Sequence, residues 1–197
     1  PLYVQYFEYI KNLLRGDLGQ SPVYRVDVWE FVKLRMFNTF ILVAPAMTFT
    51  YLFGSVVGTI AGSKRGGLLE RIGIVPVITT GSFPAFFTSI VLIVVFADWF
   101  NLFPTSGMLS ATSATGLEWW EPYLSWDFAH RYVLPFTAVF LRYLFIPSLI
   151  MRTSVVEVMG QDHTEYHRLT GISPTKRLRH VAKHASLPVI TIYPVSL

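Results

Sequence analysis

"MFNTFILVAPAMTFTYLFGSVVGTIAGS", residues 36–63, runs for twenty-eight positions without a charged side chain. A helix needs about 20 mostly apolar residues to cross a bilayer. The run also lacks the polar stripe at a 3.6-residue period that a surface helix of a soluble domain carries. It reads as a membrane span. Two further runs share its character. Residues 72–97 carry no charge, and residues 132–151 carry one, Arg142. A fourth run, "LPVITIYPVSL" at 187–197, is too short to cross alone and is expected to begin a span that continues past Leu197. Pro45, Pro76, Pro84, Pro135 and Pro147 fall within the runs and are expected to interrupt the helices. Such interruptions are tolerated where neighbouring helices or a cavity satisfy the freed carbonyls, which suits a transporter better than a simple anchor.

Composition supports the same class. The 197 residues are 52% hydrophobic and 16% aromatic, and only 14% are charged, against about a quarter in soluble domains. Mean hydropathy is +0.47. A soluble globular domain is therefore not the expectation, and the fold class is all-α integral membrane, a polytopic helical bundle. The absence of cysteine excludes disulfides, a thiolate metal site and a cysteine nucleophile. The formal charge of +4 says less than its distribution. The chain begins at Pro1 without a signal-peptide pattern and ends within an apolar run, so it is expected to be an internal part of a longer protein.

Charge asymmetry orients the spans. Lys64, Arg65 and Arg71 lie in 64–71, and Arg152, Arg168, Lys176, Arg177, Arg179 and Lys183 lie in 152–186. The stretch 98–131 holds a single cation, Arg131, against Asp98, Glu118, Glu121 and Asp127. Positive loops stay in the cytoplasm. The expected order is then an outer amphipathic segment 1–35, a span 36–63, a cytoplasmic loop 64–71 and a span 72–97. An outer loop 98–131, a span 132–151, a cytoplasmic loop 152–186 and a truncated span 187–197 follow. Residues 1–35 carry five basic and four acidic side chains, so charge does not itself place them. Trp29, Trp99, Trp119, Trp120 and Trp126 all fall on the expected outer side, where indole rings anchor to the interface. Within the first span, Gly54, Gly58 and Gly62 recur every fourth residue, lining one helix face with glycine so that a second backbone can approach.

The segment "GQDHTEYHRLTGISPTKRLRHVAKHASLP", 160–188, holds four of the five histidines and lies between oily stretches. Residues 160–170 read as a helix stopped at Gly171. Ser173-Pro174 reads as an N-cap followed by proline at the first helical position, and a second helix runs to about Ser186. Four readings stand open. The pairs His163/His167 and His180/His184 have metal-ligand spacing on a helix, but no HExxH motif or cysteine assists them. The basic second helix loosely fits a DNA-binding helix-turn-helix. A solvated basic loop would satisfy the charge rule alone. A compact helix-Gly-helix knob would dock a cytoplasmic partner, and its continuity with the spans on both sides favours this reading.

With these residues in view, the segment resembles the EAA loop of permease subunits in binding-protein-dependent ABC importers. Glu165 lies six residues before Gly171, and Leu187-Pro188 closes the loop, while Tyr166 and His167 stand where that pattern has two alanines. "YIKNLLRGDLGQS" (9–21), "VWEFVKLRMFNTFIL" (28–42), "GSFPAFF" (81–87), "WFNLFPTSGM" (99–108) and "YVLPFTAVFLRYLFIPSLIMRTSVVEVMGQDHTEYHRLTGIS" (132–173) resemble, in order, motifs of the dipeptide, oligopeptide and nickel branch.

The resemblance implies about six spans, one before Pro1 and the last two at and beyond Leu197. It implies a prokaryotic cytoplasmic-membrane protein, multi-pass. Its partners would be a second permease subunit (a paralogue in this branch), two cytoplasmic ABC ATPases and an extracytoplasmic binding protein. ATP and Mg would be bound in the ATPases; this chain has no glycine-rich phosphate loop with lysine, is not expected to be an enzyme, and is expected to hold no cofactor or metal. Asp162, Glu165, Tyr166, Arg168, Gly171 and Ser173 would form the ATPase-coupling surface.

Arg142 falls mid-span and is not part of the branch pattern. A charge there costs at least about 2.5–3.5 kcal/mol on insertion scales and faces a cavity or partner. It is expected to line the substrate path and contact a substrate carboxylate, to pair with a polar group on another span, or to snorkel or sit at a shifted span boundary. The outer loop 98–131 either touches the binding protein or covers the spans. The rival from another class is an ATPase-independent secondary transporter or channel, which has no use for the loop around Glu165–Gly171. A soluble DNA- or metal-binding regulator is a more distant rival. Peptides, nickel complexes and some sugars are all substrates of permeases that look like this one.

Overall fold

The computed structural model describes residues 1–109 and 120–196. Residues 110–119, with Glu118 and Trp119 of the expected outer loop, and Leu197 lie outside the described residues, as do the side chains of Leu69, His163, Glu165 and Arg168. Among the described residues the regular elements are all helices, apart from one isolated antiparallel bridge between Gln20 and Asp27. The chain divides into two units, Pro1–Leu42 and Val43–Leu197.

In the first unit, α1 (Leu2–Leu14) buries none of its residues; Leu2, Tyr3, Phe7 and Leu14 are all exposed. After a tight turn in which Ser21 N–H donates to the Val26 carbonyl at 2.9 Å, Asp27 caps the next helix. Its Oδ1 accepts from Trp29 N at 2.7 Å and from Glu30 N at 3.3 Å, taking up two of the free N–H groups that every helix start carries. That helix, α2 (Val28–Ser63), is 36 residues long. It therefore starts eight residues before the run at Met36, where the Asp27 cap satisfies its first N–H groups.

In the second unit the core is a seam of apolar side chains. Met47 and Tyr51 of α2 meet Met151, Val155 and Val158 of α6 (Phe145–Met159), Val181 and Ala185 of α8 (Pro174–Ala185), and Val189 of α9 (Leu187–Ser196). A second cluster joins Leu92 and Ala97 to Leu134 of α5 (Trp126–Tyr143). The rings of Phe49 and Phe136 meet edge-on at 5.8 Å, and Phe53 lies 5.6 Å from Phe140, so α2 and α5 also pack through aromatic rings. Outside these seams Leu52, Val56, Ile72, Val75, Phe86 and Ile90 are exposed, as lipid- or helix-facing positions of a membrane protein are.

The run at 72–97 is not one straight span. It forms α3 (Leu68–Ser82) and α4 (Ala85–Leu92), the latter continuing through a π-helical segment Ile93–Trp99. The arms meet at 106°. Phe83 is extended (φ −81°, ψ 144°) and precedes Pro84, and a residue before proline is pushed out of the helical region by the proline ring. The other prolines do not break their helices. Pro45, Pro76 and Pro135 lie inside continuous helices, and Pro147 sits in the first turn of α6. The run at 132–151 extends in both directions: α5 and α6 together make a 34-residue apolar rod from Trp126 to Met159.

Hydroxyls in the apolar helices bond to their own backbones. Thr50 donates to the Ala46 carbonyl, Ser55 to Tyr51, Thr79 to Val75 and Ser148 to Leu144, at 2.6–2.8 Å. A polar side chain satisfied within its own helix needs no partner in the apolar surroundings.

Candidate functional site

The helix-Gly-helix segment forms at one end of the second unit. α6 ends at Gly160, and α7 spans Asp162–Leu169, two residues shorter at its start than the sequence expectation. Thr164, buried at the base of α7, donates from Oγ1 to the Val158 carbonyl at 2.8 Å and so ties α7 to the end of α6. At the far end Thr170 N–H reaches Tyr166 O and Ile172 N–H reaches His167 O. Gly171 then takes φ +76°, a left-handed conformation that side chains other than glycine adopt only with strain. Ser173 precedes α8 with extended backbone, but its hydroxyl makes no capping bond; the N-cap role expected for that side chain is not filled, although the Ser173 carbonyl accepts from Arg177 N at 3.0 Å.

α8 lies on the bundle. Its Val181 and Ala185 are 2% and 1% exposed, packed against Met151, Val155 and Val158. α7 stands proud instead, with Tyr166 65% and Leu169 75% exposed. Asp162, Gly171 and Ser173 are exposed with them, so Asp162, Tyr166, Gly171 and Ser173 share one projecting element; Glu165 and Arg168 lie on the same helix. The bend also brings His167 of α7 and His180 of α8 to a ring separation of 5.4 Å. Among the described residues no group of three or more acidic or histidine side chains is placed to hold a metal ion.

The knob is connected to the spans through α6. Gly54, Gly58 and Gly62 all face that helix: a Cβ on Gly54 would meet Pro147 Cγ at 2.7 Å, one on Gly58 would strike the Ser148 carbonyl oxygen, and one on Gly62 would meet Val155 at 2.9 Å. The glycine face is therefore where the α2 and α6 backbones touch. On another side of α6, Arg152 donates from Nε to Glu70 Oε1 at 2.6 Å and from Nη2 to the same oxygen, and this pair joins the start of α3 to α6. Residues 70 and 152 stand on opposite sides of two apolar runs, and no spacing in the sequence pairs them.

At the opposite end of α5, Arg131 bonds Asp127 Oδ1 (3.0 Å) and the Ser106 carbonyl (2.9 Å), while His130 Nε2 lies 2.6 Å from the Leu102 carbonyl. These bonds hold the described part of 98–131 down on α5. Arg142 is half-buried near the α5–α6 junction, its guanidinium 5.7 Å from the Tyr143 ring centre and 5.6 Å from that of Phe145.

Three relatives are similar over nearly the whole chain. The di/tripeptide transport system permease protein DppB of Pseudomonas aeruginosa (strain UCBPP-PA14) is 32% identical over 206 residues, covering 98% of this chain and 61% of the relative. The dipeptide transport system permease protein DppB of Escherichia coli (strain K12) is 30% identical with the same coverage. The glutathione transport system permease protein GsiC of Salmonella typhi is 30% identical, covering 98% of this chain and 57% of the relative. The chain thus spans about three-fifths of the length of these relatives. Residues 54–197, which include the glycine seam, the bent pair, the long rod and the projecting α7, match one family in full view of that geometry. The chain belongs to the family of binding-protein-dependent transport system inner membrane components.

Proposed function

We propose that this chain is the transmembrane permease subunit of an ATP-driven importer for peptides, and that α7 is the element through which cytoplasmic ATPases move it. The observation that carries the reading is the contrast between the two short helices. α7 projects with Tyr166 and Leu169 exposed, while α8 is sealed onto α6 by Val181 and Ala185. An exposed aromatic and leucine on a rigid projection suit a groove on a partner. A push on α7 would pass through Thr164 to α6. From there it would reach α2 through the glycine seam and α3 through Glu70–Arg152.

In this reading α7 and α8 face the cytoplasm, with Arg65, Lys176 and Arg179 on the same side. The partners are a second permease subunit, two ABC ATPases that bind ATP and Mg, and an extracytoplasmic binding protein. The relatives' names, as di/tripeptide and glutathione permeases, support peptides as substrate. Asp162, Glu165, Tyr166, Arg168, Gly171 and Ser173 make the coupling surface.

The test uses Ser173→Cys as the single cysteine of the full-length subunit, assembled with its cognate ATPase. A crosslink to the ATPase whose yield changes with ATP is the expected result. A cysteine that reacts with a cytoplasmic thiol reagent yet never crosslinks would refute the coupling role and favour an ATPase-independent transporter.

A further inference from the structure

The α5–α6 rod carries three arginines, and two of them are fully engaged. Arg131 is held by Asp127 and the Ser106 carbonyl, and Arg152 by Glu70. At 1.5 Å per residue, the two are separated by about 31 Å of helix, close to the roughly 30 Å hydrocarbon thickness of a bilayer. They mark the two edges of the apolar layer. Arg142, seventeenth of the 34 residues in the rod, lies about 15 Å from each. Among the described residues no carboxylate lies within ion-pair distance of it, and its flanking groups are the Tyr143 and Phe145 rings.

A cleft of about 300 Å³ lies on the same rod, its lining ending at Ala138. It is bounded by Ser89 and Ile93 on one wall, by Arg131, Leu134, Pro135 and Ala138 of α5 on the other, and by residues 104–108 as its cover. Its size is at the lower end of pockets that hold small ligands. Residues 131, 135, 138 and 142 recur at helical spacing on one face, so Arg142 continues the cleft's α5 wall one turn past Ala138. A fixed guanidinium in an apolar setting binds a carboxylate through paired charge-assisted hydrogen bonds, and the neighbouring rings can cover an apolar side chain.

Resting on the importer reading above, we infer that the cleft between α4 and α5 is a stretch of the substrate path, and that Arg142, one turn beyond its Ala138 wall, receives the free carboxylate of the peptide in transit. Arg131 differs from it in role: its guanidinium is spent on holding residues 104–108 over the cleft. The charge of Arg142 is a binding group midway across, where the peptide's own carboxylate replaces the water it has left.

The test uses the full-length subunit in the assembled transporter, in proteoliposomes, with binding protein preloaded and in excess so that capture does not limit the rate. The probes are alanyl-alanine and alanyl-alaninamide. Arg142→Cys is expected to lower alanyl-alanine uptake about tenfold while changing amide uptake less than twofold. A cationic methanethiosulfonate reagent is expected to restore acid uptake, and a neutral reagent of similar size is not. Should Arg142→Cys fail to assemble, Arg142→Lys decides: it is expected to keep the preference for acid over amide at a reduced rate. Unchanged acid uptake in Arg142→Cys, equal loss for acid and amide, a cysteine closed to both reagents, or an assembled Arg142→Lys without acid preference would each overturn the inference while leaving the importer reading standing. Wild-type vesicles that move neither probe would overturn both.

Discussion

Replacing Gly58 with alanine adds one methyl group at the point where α2 and α6 touch. The new Cβ would lie 2.8 Å from Met151 Cβ and 3.0 Å from the Arg152 backbone nitrogen, and against the Ser148 carbonyl oxygen. Carbon atoms settle at about 3.5–4.0 Å, and the backbone atoms cannot rotate away, so the helices must separate by roughly 0.5–1 Å. That gap loosens the neighbouring contacts of Met47, Tyr51 and Val155. Overpacking of this kind costs about 1–3 kcal/mol. Alanine also favours a helix over glycine by up to about 1 kcal/mol, which partly hides the clash. Gly73→Ala is the matched control, because its Cβ would meet Val57 Cγ1 at an ordinary 3.6 Å while gaining the same helix preference. Unfolding of the full-length subunit by SDS in mixed micelles, followed by circular dichroism, is expected to place Gly58→Ala about 1–3 kcal/mol below Gly73→Ala. Two variants within about 0.5 kcal/mol of each other would refute the close approach of α2 and α6, since surface-like substitutions fall in that range.

Reversing either charge of the Glu70–Arg152 pair, as Glu70→Arg or Arg152→Glu, is expected to lower uptake, and the double swap to recover it; a double swap no better than either single variant would show that α3 and α6 do not move through this pair. Gly171→Ala meets no atom within 4 Å but must hold φ +76°, a strain of about 1–2 kcal/mol. It is expected to reduce the crosslink from Ser173→Cys roughly 5–30-fold, with Gly171→Asn affected less because asparagine tolerates the left-handed region; equal yields in all three would remove Gly171 from the bend.

Much of the site was legible because it is local. The knob needed only a helix-stopping Gly171, a Ser-Pro start and flanking apolar runs, all within some thirty residues. What did not follow was which of its residues would project. Val181 and Tyr166 both carry apolar surface, and only the packing of α8 on Met151 and Val155 separates them. Glu70 lies in a loop whose charge signal comes from its basic residues, and Arg152 offers the sequence only its sign, because an ion pair across 82 positions has no local signature.

The chain by itself determined the class, the number and place of the apolar runs and the glycine face of α2, and its charges set an expected orientation. Those follow from the cost of exposing polar backbone or charge to lipid, which acts on each segment separately. Only the tertiary structure decided that the glycines meet α6, that 72–97 turns through 106° at Phe83-Pro84 while Pro45, Pro76 and Pro135 leave their helices whole, and that Arg131 and Arg152 are paired with carboxylates while Arg142 lies against the Tyr143 and Phe145 rings. A proline permits a break but neighbours determine whether the helix takes it, and an arginine's partner is set by which helices are brought side by side.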